Sequence, residues 1–119
     1  MAILADGRIK TAATQEVIFA VGPTDDLDLT FDTDVIDFDR VTINKVTIFN
    51  NIQTIQTVIL YVRRKFGEFR KLRQYVLMQN ESAEYLEGGA VLSLRPGDVL
   101  EAETTTADAV DFVVYGTLE

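Results

Sequence analysis

Apolar and polar residues alternate along this chain in short runs that are separated by turn-forming residues. Val17-Ile-Phe-Ala-Val21 is an apolar run closed by Gly22-Pro23, a strong turn signal. Val41 to Phe49 alternates with a phase change: Val41 and Ile43 share one face, and Val46 and Ile48 take the other phase. One inserted residue produces such a slip, so the pattern predicts a bulge near Asn44-Lys45. Asn50-Asn51 reads as a turn. Ile55 to Arg63 is the clearest strand, apolar on both faces, as suits a strand that is central or covered on both sides.

Lys65 to Phe69 reads as a hairpin loop around Gly67, and the return strand runs from Phe69 to Gln79. On it, Arg70, Leu72, Gln74, Val76 and Met78 alternate with Lys71, Arg73, Tyr75 and Leu77. Ala83–Leu86, Ala90–Leu94, Val99–Thr104 and Val110–Tyr115 complete the set. The Arg95-Pro-Gly-Asp98 sequence between two of them fits a type II turn. About eight strands at short, regular spacing and no convincing helix predict an all-β fold, a single antiparallel β-sandwich or jelly-roll-like domain. The domain is expected over residues 15–119, with residues 1–14 as an extended N-terminal arm. A chain of 119 residues is long enough to bury one continuous core.

Charge sharpens this picture because it comes in blocks. Residues 1–40 carry nine acids and three bases, 41–80 seven bases and one acid, and 81–119 nine acids and one base. Six bases, Arg63, Arg64, Lys65, Arg70, Lys71 and Arg73, fall within eleven residues at the distal half of the expected hairpin. Phe66 and Phe69 lie among them, with Tyr61 and Tyr75 nearby. Seven aspartates fall between Asp25 and Asp39, among them Asp25, Asp26, Asp28, Asp32 and Asp34, interleaved with apolar residues. Clustered aspartate disfavours strand, so this stretch is expected to be a solvated or interface-facing loop, with room for a short edge strand.

The chain has neither cysteine nor histidine. Disulfides, thiolate metal sites, Ser-His-Asp triads, Cys-His dyads and the usual zinc centres are thereby excluded. The aspartate cluster lacks the spacing of an EF-hand, which leaves a cation site of another geometry as the less favoured reading. Glu101 and Glu103 share a strand face about 7 Å apart, near the spacing of an inverting glycosidase pair, but no other site constellation accompanies them. No catalytic, metal or cofactor-binding residue is therefore expected, and the protein reads as a non-enzyme. The first residues lack the apolar stretch of a signal peptide and no run reaches membrane-span length, so synthesis in a cytoplasm and no membrane partner are expected.

The basic hairpin admits three readings: a solvated face, a grip for single-stranded nucleic acid, or a surface that docks on acidic protein. The last is preferred, because Arg63, Arg64, Arg70, Lys71 and Arg73 repel one another unless something neutralises them, and an overall charge of −8 disfavours nucleic acid. The candidate interface comprises Arg63, Arg64, Lys65, Phe66, Phe69, Arg70, Lys71 and Arg73, with Asp25, Asp26, Asp28, Asp32 and Asp34 as its acidic counterpart.

Four further pieces, Val46-Thr-Ile-Phe-Asn-Asn51, Val58-Ile-Leu-Tyr-Val62, Leu92-Ser-Leu-Arg-Pro-Gly-Asp-Val-Leu-Glu-Ala102 and Asp111-Phe-Val-Val-Tyr-Gly116, occur in this order after an opening Leu4-Ala-Asp-Gly7. In these motifs the chain resembles a group of small bacteriophage virion accessory proteins, either head decoration (cement) proteins or tail-associated β-sandwich proteins. The resemblance spans roughly residues 41–117. It implies a structural virion protein that acts as a homo-oligomer, a trimer by analogy, bound to major capsid or tail proteins. The aspartate-rich stretch and the basic hairpin depart from the pattern, and leave head or tail open. The alternative is a ligand-binding module for host carbohydrate or single-stranded nucleic acid through Tyr61, Phe66 and Phe69, of which the carbohydrate version is weakened by the lack of tryptophan.

Overall fold

The computed structural model describes residues 2–10, 12–20, 41–64, 69–86, 89–95 and 97–118. Among these the chain forms nine strands and no α-helix: β1 (Ala2–Arg8), β2 (Glu16–Ala20), β3 (Val41–Asn50), β4 (Gln56–Arg63), β5 (Phe69–Leu77), β6 (Ser82–Tyr85), β7 (Leu92–Leu94), β8 (Val99–Glu103) and β9 (Val110–Leu118). They make two antiparallel sheets, as expected of a β-sandwich. The first has the order β1-β9-β3-β6, with β7 also paired to β3. The second has the order β2-β8-β4-β5.

Eight of these strands stand where the alternation places them. The ninth, β1, takes up residues 2–8 of the expected arm and pairs with β9. Its pattern is hard to read because the register shifts between Ile3 and Ala5, so consecutive Leu4 and Ala5 are both buried. Arg8 lies directly opposite Asp111 and pairs with its carboxylate, which raises the Arg8 pKa chiefly through the side-chain hydrogen bond and then through charge.

The core forms where the alternating inward residues of both sheets meet. β4 contributes Val58, Leu60 and Val62, and β9 contributes Phe112 and Val114, all at most 2 % exposed. β4 sits between β8 and β5, in line with its apolar residues on both faces. The bulge expected in β3 is present, with a register shift between Ile43 and Lys45, and it returns both Val41/Ile43 and Val46/Ile48 to the core. The Arg95–Asp98 turn closes through an Asp98 N–H to Arg95 carbonyl bond of 2.9 Å, with Gly97 at φ 91°, as a type II turn requires.

Candidate functional site

The β4–β5 hairpin ends the second sheet, and β5 is its edge strand. Its basic residues do not form one uniform surface. Arg63 sits opposite Val99, so Glu101 lies diagonally across on the neighbouring strand, within reach of a long side chain. Arg63 Nε donates to Glu101 Oε2 at 2.8 Å, and its guanidinium covers the Phe69 ring at 4.3 Å. Tyr61 and Phe69 stack with centroids 5.1 Å apart and an interplanar angle of 12°. Arg64 Nη1 donates to the Ser93 carbonyl at 2.7 Å and to Asp98 Oδ2 at 2.9 Å. Two of the expected interface cations are thus neutralised by acids of their own chain.

Glu101 is not an open carboxylate of the kind a catalytic pair would need. It lies on a strand covered by neighbours on both sides and is only 6 % exposed, bound to Arg63. Replacing Arg63 with methionine should cost roughly 2 kcal/mol, between the limits for exposed and buried pairs, because it strands a nearly buried carboxylate. Adding Glu101→Gln should recover much of that loss in a urea-unfolding double-mutant cycle. Simple additivity of the two changes would show that the pair is uncoupled.

Arg70, Lys71 and Arg73 lie on β5, all exposed. Strict alternation places Lys71 with Arg73, but the structure separates them. A register shift sets Leu60 opposite Arg73 and Tyr61 opposite Lys71, which leaves Leu72 as the extra residue of a bulge. Lys71 and Phe69 therefore share the outer side with Tyr61 and Arg63. Arg73 and Arg70 oppose Leu60 and Val62, on the side that looks across to the first sheet. Lys71 Nζ reaches Gln74 Oε1 at 2.5 Å. Lys65, Phe66, Asp25, Asp26, Asp28, Asp32 and Asp34 lie outside the described residues.

Beside Arg73, the edges of the two sheets leave a cleft of about 520 Å³ between β5 and β6. Arg73, Tyr75, Ala83, Tyr85, Leu86 and Ala90 line it, with Glu84 at hand. The Arg73 guanidinium stands 5.7 Å from the Tyr75 ring centroid. Glu84 is balanced by Lys45, 4.0 Å away, whose ammonium also lies 4.6 Å from the Tyr115 ring centroid. Burial raises the pKa of the Tyr85 phenol, while the charges of Arg70 and Arg73 pull it back. The cleft thus combines the apolar side chains of Ala83, Leu86 and Ala90 with two phenols, the Arg73 guanidinium and the Glu84 carboxylate. Nothing local in the sequence marks it, since its residues meet only once two edge strands of different sheets are brought together.

Because Tyr85 ionises later in the folded chain than in the unfolded one, its contribution to stability is complete below the unfolded tyrosine pKa near 10. It is lost as pH rises through the folded value. Spectrophotometric titration at alkaline pH should show a late-ionising component that is lost in Tyr85→Phe. Arg73→Gln should delay it further, and an unmoved curve would place Arg73 too far away to matter.

No group of three or more carboxylates able to hold a metal ion occurs among the described residues. Nor do they contain a helix long and apolar enough to cross a membrane. Comparison with protein-family models, with curated proteins and with solved structures returns no significant match.

Proposed function

We propose that this protein is a non-enzymatic assembly component of a bacteriophage particle, a homo-oligomer that docks on major capsid or tail proteins and strengthens the contacts between them. The observation that carries the reading is the β5 edge, where Arg70, Lys71 and Arg73 stand exposed beside Phe69 and Val76, which are 44 % and 59 % exposed. Exposed apolar residues and cations on one edge strand suit a polar-rimmed protein contact, in which apolar area carries affinity and charge carries orientation. The resemblance of the strand motifs to virion accessory proteins supplies the setting. The nucleic-acid alternative is less well supported, since Tyr61 and Phe69 stack on each other and Arg63 covers Phe69.

The test is co-purification. Particles of the source phage, banded by density and analysed by mass spectrometry, should carry the protein at a fixed ratio to the major capsid or tail protein. Its absence from banded particles would overturn the reading. Light scattering of the isolated protein should give three times the 13.3 kDa chain mass, and a monomer would remove the trimer assignment.

A further inference from the structure

Register decides which side chains turn into the cleft between β5 and β6. On β5, Arg73 stands opposite Leu60 and Tyr75 opposite Val58. On β6, Ala83 stands opposite Ile48 and Tyr85 opposite Val46. All four partners are fully buried, so these four positions face the space between the sheets, where a sandwich ordinarily holds apolar side chains. One of them carries a guanidinium instead. Arg73 makes no ion pair with any described residue, and its guanidinium stands 5.7 Å from the Tyr75 ring centroid. Glu84 does not meet it, since Lys45 lies 4.0 Å from that carboxylate. The half-buried Tyr85 hydroxyl makes no hydrogen bond to a described residue either. Leu86, also on the cleft wall, holds φ 73°, a left-handed backbone that is rare for a bulky residue and recurs at ligand-holding sites.

An unpaired guanidinium beside an unpaired phenol is matched by one group that accepts from both, and a carboxylate does so. Exposure sets the rest of the ligand. Tyr75, Ala83, Tyr85 and Leu86 are half-buried and Ala90 is exposed, so a body resting on them keeps its outer face in water. A wholly apolar acid would gain only part of its burial there. A sugar ring suits such a wall, because its C–H face covers phenol rings and aliphatic side chains while its hydroxyls stay hydrated. The volume of about 520 Å³ lies within the range of small-ligand sites. We propose that the cleft between β5 and β6 binds an acidic saccharide, with its carboxylate on Arg73 and the Tyr85 hydroxyl. The site goes beyond the assembly reading and does not compete with it. Phe69, Lys71 and Val76 oppose Arg63, Tyr61 and Thr57, on the other side of β5 from Arg73 and Tyr75.

The test is chemical-shift mapping of the full, isotope-labelled chain titrated with D-glucuronate, N-acetylneuraminate and tetragalacturonate. At least one of these acids should give saturable shifts confined to the amides around Arg73, Tyr75, Ala83 and Tyr85, with roughly millimolar affinity for a single sugar. Tighter binding of the tetramer would name a polysaccharide as the source, and equal binding a free sugar acid; both support the site. Glucose, which lacks the carboxylate, and benzoate, which lacks the hydroxyls, should each bind at least about tenfold more weakly than the best acid. Arg73→Gln, folded by circular dichroism, should lose at least about tenfold of that acid's affinity while leaving the weak glucose response unchanged. Lys71→Gln, on the far side of β5, should bind as the wild type does. Absence of localised shifts with all three acids overturns the proposal. So does full affinity in Arg73→Gln, or benzoate binding as tightly as the best sugar acid.

Discussion

Replacing Gly116 with alanine should lower stability by at least about 3 kcal/mol, which for a domain of this size moves the melting midpoint by roughly 10 °C or more. Gly116 lies on β9 opposite both Ala2 of β1 and Ile43 of β3. A β-carbon there would stand 2.3 Å from the Thr42 carbonyl oxygen, 2.8 Å from Leu4 Cδ1 and 3.2 Å from Ile43 Cα. Leu4 is a side chain and has some freedom to yield. The Thr42 oxygen and Ile43 Cα are backbone of a paired strand, so β9 itself must shift, and it holds both neighbours. Thermal unfolding followed by circular dichroism reads the loss directly. A midpoint within about 2 °C of the wild type would mean that β9 and β3 are not packed this closely.

Asn50→Leu should be comparably damaging, at about 3 kcal/mol, although the side chains are close in volume. Asn50 is fully buried at the end of β3. Its Nδ2 donates to the carbonyls of Thr54 at 3.0 Å, Leu77 at 3.0 Å and Met78 at 3.1 Å, and its Oδ1 accepts the Ile52 N–H at 3.2 Å. One amide thus joins the end of β3, the loop into β4 and the end of β5. Leucine keeps the volume but leaves the polar groups that face it without partners, each a cost of about 1–3 kcal/mol before relaxation. Asn50→Asp should be no milder at neutral pH, since a carboxylate would face three carbonyl oxygens, and it should recover at acidic pH when protonated. Urea midpoints for both variants at pH 7 and pH 4 test this. A leucine variant as stable as the wild type would show that water replaces these bonds.

Asn50 also illustrates what a linear pattern conveys. Reading Asn50-Asn51 as a turn follows from residue type alone, but the three carbonyls that Asn50 holds come from segments up to 28 residues away. The strands were legible because their alternation is local, and so was the β3 bulge, since Val41/Ile43 and Val46/Ile48 differ visibly in phase. The bulge at Leu72 was not, because the run Arg70-Lys-Leu-Arg73 offers too few apolar residues to betray a slip. The candidate surface was half legible for the same reason. Its cations are plain in the sequence, whereas the pairing of Arg63 with Glu101 and Arg64 with Asp98 depends on β8 lying beside β4. Tyr85 and its cleft depend on an edge of each sheet, and no residue near them announces the other.

The place of β9 has a consequence for how the chain reaches its fold. It is the last of the described strands, yet it lies inside its sheet between β1 and β3, both made much earlier. β2 likewise waits for β8. Of the larger pairings only the β4–β5 hairpin is local, so it alone can form on the microsecond scale of isolated hairpins. Final closure requires distant strands to meet, which places folding in the slow, millisecond-to-second class of such topologies. During synthesis β1 and β3 must wait with their hydrogen-bonding edges bare, the interval in which a ribosome-bound chain is most exposed to mispairing.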